Sequence, residues 1–298
     1  MLSQTDGAKM MVKGISEINE SEGHRFFAGK LGTSELTILN FYVSYRKDKE
    51  RKLPYPPYYV SIMTLNAGFF PGTEEQLDKW SEYMINDVLP NMDIVVEWNP
   101  NFRNDEKNIL SKYALNSIRV PLRSLEPYYE DDVSNIWSAN IPSGSIVGVV
   151  SPFAKSIETQ WIKRDLVWNK RKMWSDNLKL VTIQAGYSPE LSKVGCWDSK
   201  IANWKEAVDS VVEQCIQAST QIVIVGCGSL SLPICAELKK NGISAIHLGG
   251  ATQILFGIKG RRWANHPIIS YFFNKHWVHV RDDEIPTNAI AVENGCYW

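Results

Sequence analysis

The chain has 298 residues, of which 44% are hydrophobic and 22% are charged, an ordinary globular composition that is long enough for a substantial core. Its 32 basic and 33 acidic side chains leave a net charge of −1, which argues against a chain-wide field that would attract nucleic acid or an anionic membrane. No stretch approaches about 18 consecutive apolar residues, so we expect no membrane span.

The first predicted elements alternate between strands and helices. An apolar strand begins at Phe26, and a helix is predicted over 36–45. Prolines at positions 54, 56 and 57 argue against a regular helix there, so the β-rich segment 58–65 is predicted to be a strand. A helix is then predicted over 72–92, because Thr73 is a good N-cap and apolar residues follow it at helical spacing.

The same alternation continues along the rest of the chain. Strands are predicted over 92–98, at the start of 117–127, and over 145–153, 178–185, 221–228 and 243–249, and helices over 104–115, 154–164, 203–218 and 229–242. The strand ending at Gly226 and Gly228, the helix closed by Gly242 and the next strand form a βαβ unit. These elements predict an α/β fold, a Rossmann-like doubly wound and mostly parallel sheet with helices on both faces.

The chain shows no composition break that would divide it into independent domains. We therefore expect a single α/β catalytic domain over 1–298. Within it we distinguish an N-terminal half of about 24–140, a nucleotide-binding C-terminal half of about 141–263, and a tail over 264–298.

Small and polar residues follow the predicted strands repeatedly. The first strand is followed by Gly32, Thr33, Ser34 and Glu35, and later strands are followed by Asn66, Ser151, Gly226 with Gly228, and Gly249 with Gln253. In an open parallel sheet, ligands bind beyond the carboxyl ends of the strands. We therefore predict that these residues gather around a bound nucleotide.

Glu35 is the acid in a candidate loop of this kind. It suits a general base on an acceptor hydroxyl, a hydrogen-bond acceptor for a sugar, or half of a metal site. Its position also suits a cap for the helix that follows, and the sequence leaves these alternatives open.

Two segments carry candidate groups for phosphate. Lys259, Arg261 and Arg262 surround a glycine and suit a clamp for a diphosphate, although a solvated basic turn is the alternative. Lys155 and Ser156 begin a predicted helix, whose N-terminus favours an anion, although capping explains Ser151 without a ligand. Trp98 and Trp263 are candidate platforms for a sugar ring.

The stretch "VGCGSLS" is close to the dinucleotide fingerprint but departs from it. Ser231 stands where the third glycine belongs, and the next strand offers His247 rather than the acid that binds the ribose of NAD. A tight strand-to-helix turn explains the glycines equally well. The acidic runs 128–133 and 280–284 follow no predicted buried strand and are interpreted as structural, as is a buried His247.

The five cysteines include no Cys-x-x-Cys pair and no zinc-like spacing with histidine. Cys227 and Cys235 lie in and after an apolar segment, where a reduced, buried thiol is usual. The first 14 residues lack the apolar core of a signal peptide. We therefore expect a reducing compartment and a cytoplasmic location.

Together these segments resemble a known enzyme family. "FFAGKLGTSELTIL" resembles the first strand and loop of glycosyltransferases with the GT-D fold, and the segment 222–263 is similar to the second half of that family. The ending "EIPTNAIAVENGCYW" resembles that of sugar transferases from bacterial polysaccharide loci and large algal viruses. The resemblance spans 24–298, and its specific parts are the first loop and 222–263.

The resemblance implies transfer of a sugar from a nucleotide-sugar donor, typically a UDP-sugar, to a hydroxyl of an oligosaccharide or glycan. Glu35 matches the second acid of the family's Asp-x-Glu motif, whereas Thr33 stands in place of the first. The motif is linked to Mn²⁺ or Mg²⁺, and one carboxylate is a poor site for such a cation. We therefore assign no metal ligand and expect weak or absent metal dependence.

Two other classes of function remain open. One is a different Rossmann-type enzyme, a SAM-dependent methyltransferase or an NAD-linked oxidoreductase, built on the turn at Gly226 and Gly228. The other is a protein that binds a nucleotide or a saccharide without catalysis. No nucleic-acid partner is expected for any of them.

Overall fold

A parallel sheet lies at the centre of the fold. The computed structural model describes residues 2–18, 25–48, 50 and 52–298. Seven parallel strands pair in the order β3-β2-β1-β7-β6-β4-β5. They are β1 Phe27–Lys30, β2 Ile94–Val96, β3 Ile118–Val120, β4 Ile146–Ser151, β5 Lys179–Gln184, β6 Ile222–Val225 and β7 Ser244–His247. A separate parallel pair joins β8, Ile258–Lys259, to β9, Val278–His279.

Helices connect these strands. The α-helices are α1 Gln4–Ser16, α2 Thr33–Tyr45, α3 Pro57–Ser61, α4 Glu74–Tyr83, α5 Arg103–Tyr113, α6 Leu122–Leu125, α7 Ala154–Trp161, α8 Arg164–Val167, α9 Trp204–Gln217, α10 Ser231–Lys240 and α11 Thr252–Leu255. Two π-helical segments, Ile62–Asn66 and Met84–Val88, directly continue α3 and α4. Short 3-10 segments include Gly228–Leu230, before α10, and Gly249–Ala251, before α11.

Both faces of the central strands are covered, which explains the uninterrupted apolar run of β6. Every residue of β6 is buried, as is every residue of β7. Helices α2, α4, α5, α9 and α10 contribute to the core on one face, whereas α1, α7, α11 and much of the C-terminal segment contribute to the core on the other. The predicted doubly wound Rossmann-like fold is therefore confirmed.

The strand order places a crevice between β1 and β7. These strands are neighbours, but the helices that follow them lie on opposite faces of the sheet. Leu36 of α2 packs in one core, and Ile254 of α11 packs in the other. A crevice opens where neighbouring strands send their connections to opposite sides, and this is the usual ligand site of an open α/β sheet.

The strand predicted over 58–65 is wrong. Pro57 occupies the first position of α3, and the chain continues as a π-helix to Asn66. Proline is acceptable at the start of a helix because its fixed φ suits the first turn and its missing N–H would have no partner there. Met63 is fully buried in the core beside α2 and α4, so tertiary packing overrides the β propensity of the segment.

Local signals elsewhere predicted their elements correctly. Thr73 caps α4, its hydroxyl accepting a hydrogen bond from the Gln76 N–H at 3.4 Å. Gly242 follows α10 with a φ of +78°, as expected of a glycine that ends a helix. Among the described residues, no helix is long and apolar enough to cross a membrane.

Candidate functional site

A cleft of about 240 Å³ opens at the carboxyl edge of the sheet. Its walls come from the segments that follow β1, β2, β4, β5, β6, β7 and β8, from the end of the π-helix after α3, and from the C-terminal residues. The cleft therefore lies where the strand order predicts a ligand site.

Three zones follow one another along this edge. The charged zone, near the ends of β1 and β7, contains Lys30, Glu35, Trp98, His247, Arg262 and Tyr297. The glycine zone, after β6, consists of Gly226, Cys227 and Gly228. The aromatic zone, after β4 and β5, contains Phe153, Tyr187, Trp197 and Trp298. Because the strands lie in the order β1-β7-β6-β4-β5, the glycine zone separates the other two.

The glycine zone depends on a close approach between two backbones. Gly228 has a φ of +66°, and a Cβ atom there would lie 2.3 Å from the Ala67 carbonyl oxygen. That oxygen accepts hydrogen bonds from both the N–H and the hydroxyl of Ser229, each at 2.8 Å. Ser231 accepts a hydrogen bond from the Cys227 N–H at 2.9 Å. The serine in place of the third fingerprint glycine therefore stabilises the turn.

Lys30 lies at the end of β1 inside the charged zone. Its Nζ lies 3.7 Å from a carboxylate oxygen of Glu126 and 4.7 Å from the ring centroid of Trp98. Burial lowers the pKa of Lys30, Arg262 lowers it further, and the charges of Glu126 and Glu35 oppose that change. The zone therefore places a poorly solvated ammonium group beside other charges.

Trp98 is held in the loop after β2. Its indole Nε1–H donates to the Leu31 carbonyl at 2.8 Å. Glu106 of α5 accepts from the backbone N–H groups of Trp98 and Asn99 at 2.9 and 3.0 Å. The Thr33 hydroxyl donates to the Asn99 side-chain oxygen at 3.0 Å, which connects this loop to the start of α2.

Glu35 is buried in the first turn of α2, whose N-cap is Gly32. A Cβ atom on Gly32 would lie 2.1 Å from the Glu35 Oε2, so the carboxylate folds back over this glycine. Burial raises the pKa of Glu35, while its own backbone N–H and the charge of Lys30 partly oppose that rise. The carboxylate lies near the helix N-terminus and also lines the cleft, so its position is compatible both with a cap for α2 and with contact to a ligand.

Arg262 connects the charged zone to the C-terminal segment. Its Nη1 donates to the Tyr297 hydroxyl at 3.1 Å, and its guanidinium lies 4.7 Å from the centroid of that ring. It also forms an ion pair with Glu293, and its backbone N–H donates to the Cys296 carbonyl at 2.9 Å. The C-terminal segment thus holds one cation at the wall of the cleft.

His247 ends β7 at the floor of the charged zone and is buried. Its Nδ1 lies 3.3 Å from the Val225 carbonyl oxygen, which only accepts hydrogen bonds. Burial, followed by the charge of Lys30, lowers the pKa of His247 to about 3. The ring is therefore neutral at physiological pH, with its proton on Nδ1 and an acceptor lone pair on Nε2.

The cleft brings together most of the residues predicted from the sequence. Those that line it are Gly32, Thr33, Ser34, Glu35, Asn66, Trp98, Gly226, Gly228, Gly249 and Arg262. The predicted residues outside this lining are Ser151, Lys155, Ser156, Gln253, Lys259, Arg261 and Trp263.

Of the predicted basic clamp, Arg262 is the member that reaches the cleft. The Nζ of Lys259 lies 5.6 Å from the ring centroid of Phe273, and Arg261 donates to the Asn294 carbonyl oxygen. Consecutive residues in this turn point in different directions, so a three-cation clamp does not form.

The N-terminus of α7 holds a protein carboxylate where the sequence predicted an anionic ligand. Glu284 accepts hydrogen bonds from the backbone N–H groups of Lys155 and Ser156 at 2.7 and 3.1 Å, and from the Ser156 hydroxyl. The Lys155 side chain pairs with Asp283 at 2.9 Å. These amides are therefore satisfied within the chain, and the acidic run 280–284 caps a helix.

The remaining predicted residues support the walls of the cleft. The Gln253 Nε2 donates to the carbonyl oxygens of Tyr297 and Ile258 at 3.0 and 3.3 Å. Trp263 is buried, with its ring centroid 6.1 Å from that of Tyr297, so it offers no open face to a sugar. The Ser151 hydroxyl accepts from the Phe153 N–H at 3.1 Å, the capping role considered as its alternative.

Replacing Glu284 with alanine is expected to lower the free energy of unfolding by about 2–4 kcal/mol, because three hydrogen-bond donors at the start of α7 lose a charged acceptor. The matched control is Asp283→Ala, which removes an exposed carboxylate that pairs with Lys155 and Arg281 and should change little. Urea denaturation measures both variants. Equal stabilities of the two would contradict the capping role.

Several lining residues carried no clear signal in the sequence. Lys30 precedes the predicted loop, and Tyr187 and Trp197 belong to a long irregular segment after β5. A bridge between Tyr187 and Cys196 folds that segment back on itself, and the Tyr187 N–H donates to the Gly195 carbonyl at 2.8 Å. Neither periodicity nor spacing predicts such a contact.

Among the described residues, no group of three or more histidine, cysteine, aspartate or glutamate side chains could hold a metal ion. The two carboxylates at this part of the cleft each lie beside a cation instead, Glu35 near Lys30 and Glu293 paired with Arg262.

Comparisons of the chain with protein-family models, with curated proteins and with solved structures find no match.

Proposed function

We propose that the cleft binds a nucleoside diphosphate sugar, with weak or absent dependence on a bound metal, and transfers the sugar to a hydroxyl of a saccharide acceptor. The observation that carries this proposal is the order of the three zones along the sheet edge, charged, glycine and aromatic. A nucleotide sugar has the same order of parts: a sugar, a diphosphate and a flat base.

The length of the sheet along which the three zones lie supports this match. Neighbouring strands are roughly 4.8 Å apart, so the three spacings from β1 to β4 cover about 14 Å. This length suits an extended ligand rather than a small metabolite. The base would stack on Tyr187 or Trp197, and the sugar would lie beside Trp98 and Glu35.

The diphosphate would lie at the glycine zone. Helix α10 begins directly after this turn, and α2 begins at Gly32 beside the charged zone. The N-terminus of a helix carries partial positive charge, which favours phosphate. Lys30 and Arg262 would stabilise the charge that develops on the departing diphosphate, a task that a divalent cation performs in other enzymes.

Glu35 would act as the general base. As the acceptor oxygen bonds to the anomeric carbon, the bond from that carbon to the diphosphate oxygen breaks, and the diphosphate leaves with the electron pair. The Glu35 carboxylate takes the proton of the acceptor hydroxyl. Its raised pKa makes it a stronger base than an ordinary carboxylate. The Nε2 of His247, which lines the cleft, would accept a hydrogen bond from a sugar hydroxyl.

A panel of ligands tests the proposal. We expect UDP to raise the melting temperature, because a ligand present at a hundred times its Kd stabilises the folded state by about 2.7 kcal/mol. GDP and dTDP are included to identify the base, and SAM and NAD represent the other Rossmann-type enzymes. Arg262→Gln should reduce the shift, whereas Lys79→Gln, on the exposed surface of α4, should not.

The outcomes separate the alternatives. Release of UDP from a UDP-sugar supports transfer, since many transferases slowly hydrolyse their donor without an acceptor. A shift with SAM or NAD and none with any nucleoside diphosphate would exclude the proposal. A shift with UDP but no turnover on any donor and acceptor would leave a binding protein.

A further inference from the structure

We propose that a basic and apolar surface far from the cleft docks the protein on an anionic membrane surface. This docking surface consists of three apolar side chains, Ile162, Leu166 and Tyr271, together with the basic side chains of the same two segments, Lys163, Arg164, Lys170, Lys172 and Lys275. The proposal does not rest on the function proposed for the cleft.

The apolar part of the docking surface is unusually exposed. The exposed fractions of Ile162, Leu166 and Tyr271 are 80%, 50% and 66%. Ile162 lies in the turn that follows α7, and Leu166 lies four residues later in α8, so the two exposed side chains belong to one short stretch of the chain. The side-chain amide of Asn274 donates to the Leu166 carbonyl at 3.2 Å, which brings the segment of Tyr271 alongside.

The charges around these residues have mostly one sign. The docking surface has five basic side chains, whereas the same segments contain two carboxylates, those of Asp165 and Asp176. The chain as a whole has a net charge of −1. Lys170 lies 3.7 Å from the ring centroid of Tyr271, and Arg164 lies 4.5 Å from that of Trp161. Asp176 pairs with Lys172 at 2.8 Å. The surface therefore keeps an excess of positive charge.

This combination of features fits an anionic lipid surface. Exposed apolar side chains enter the boundary between headgroups and acyl chains, while lysine and arginine contact the headgroups and bury their methylene stems. The attraction of basic residues to anionic lipid supplies the long-range part of the binding. The attachment would be peripheral, in keeping with the lack of a membrane-spanning helix among the described residues.

The topology keeps the docking surface away from the cleft. Helix α7 begins after the carboxyl end of β4, where Phe153 lines the cleft, and it lies in the crossover to the parallel strand β5. A crossover between parallel strands must return the chain from the carboxyl ends of the strands to their amino ends. The C-terminal end of α7 and the whole of α8 therefore lie towards the amino ends of the strands, and the cleft would face away from the membrane.

Cosedimentation with vesicles tests the proposal. We expect binding to phosphatidylcholine vesicles that contain phosphatidylserine and little binding to pure phosphatidylcholine. Replacing Lys163, Lys170 and Lys172 with glutamine should weaken binding roughly a hundredfold, at about fivefold for each lysine. Ile162→Ser with Leu166→Ser should weaken it at least about tenfold. Leu115→Ser and Lys79→Gln are matched controls, because both side chains are exposed elsewhere, and should leave binding unchanged.

Three results would overturn the proposal. The first is no binding to the anionic vesicles at low salt. The second is vesicle binding that neither the lysine substitutions nor the Ile162 and Leu166 substitutions weaken. The third is equally strong binding to heparin that is unchanged when Ile162 and Leu166 are replaced with serine. The last would indicate a general affinity for polyanions. Unfolding curves confirm that each variant folds, and UDP binding should be the same in all of them, so that failure here is distinguishable from failure of the proposed function.

Discussion

Replacing Glu35 with glutamine is expected to reduce turnover by a factor of about 10²–10⁴ with little change in affinity for UDP. Glutamine keeps the shape that packs over Gly32 but cannot take a proton from an acceptor hydroxyl. Steady-state kinetics with a UDP-sugar and calorimetry with UDP measure the two quantities. The control is Glu158→Gln, an exposed acid of α7 outside the cleft lining.

The pH dependence gives a second readout of the same residue. The pKa of Glu35 is raised above its ordinary value of 4.5 by burial, and a general base must be ionised to act. Turnover of the wild type should therefore rise with pH through this elevated pKa, and that rise should disappear in Glu35→Gln. Unchanged turnover in the variant would remove Glu35 from the mechanism.

The linked effect on stability has the opposite direction. A carboxyl group whose folded-state pKa is raised binds its proton more tightly in the folded state, so its contribution to stability is lost as pH rises from the unfolded pKa through the folded one. Glu35→Gln should therefore be relatively more stable than the wild type above this range. Urea denaturation at several pH values measures the difference.

Replacing Gly228 with alanine is expected to lower the free energy of unfolding by about 2–4 kcal/mol. An alanine at this φ of +66° would be strained, because residues with a Cβ atom rarely adopt the left-handed region. Its Cβ would also lie 2.3 Å from the backbone oxygen of Ala67, which cannot rotate away. Binding of UDP should also weaken, since the turn and the segment after the π-helix must separate. Denaturation and calorimetry measure these effects.

Gly144 provides the matched control for this substitution. Its φ is +84°, but no atom lies within 4 Å of the position that a Cβ would occupy. Gly144→Ala therefore carries the backbone cost of about 1–2 kcal/mol without the collision, and it should leave UDP binding unchanged. If the two alanine variants were equally stable, the close approach of Gly228 to Ala67 would not matter to the fold.

Local patterns were sufficient for most elements and for much of the cleft. Buried parallel strands appear in the sequence as apolar runs, and a residue such as Thr73 satisfies helix N–H groups only a few positions away. The glycines at 226 and 228 follow a strand, so the general rule about carboxyl ends placed them at the cleft. The same rule placed Glu35 there.

Long-range contacts decided the rest. The segment 58–65 became helical because Met63 fills a core formed by distant elements. The amides of Lys155 and Ser156 are satisfied by Glu284, which is more than a hundred residues away along the chain. No local pattern contains that partner.

The amino-acid sequence by itself determined the alternation of strands and helices, the glycine turns and the edge of the sheet that carries the site, because each depends on neighbours within a few residues. Only the tertiary structure decided which charges meet. Lys30 and Arg262 reach the cleft while Lys259 and Arg261 do not, since the direction of a side chain depends on contacts such as that between Arg262 and Tyr297, which the folded chain alone creates.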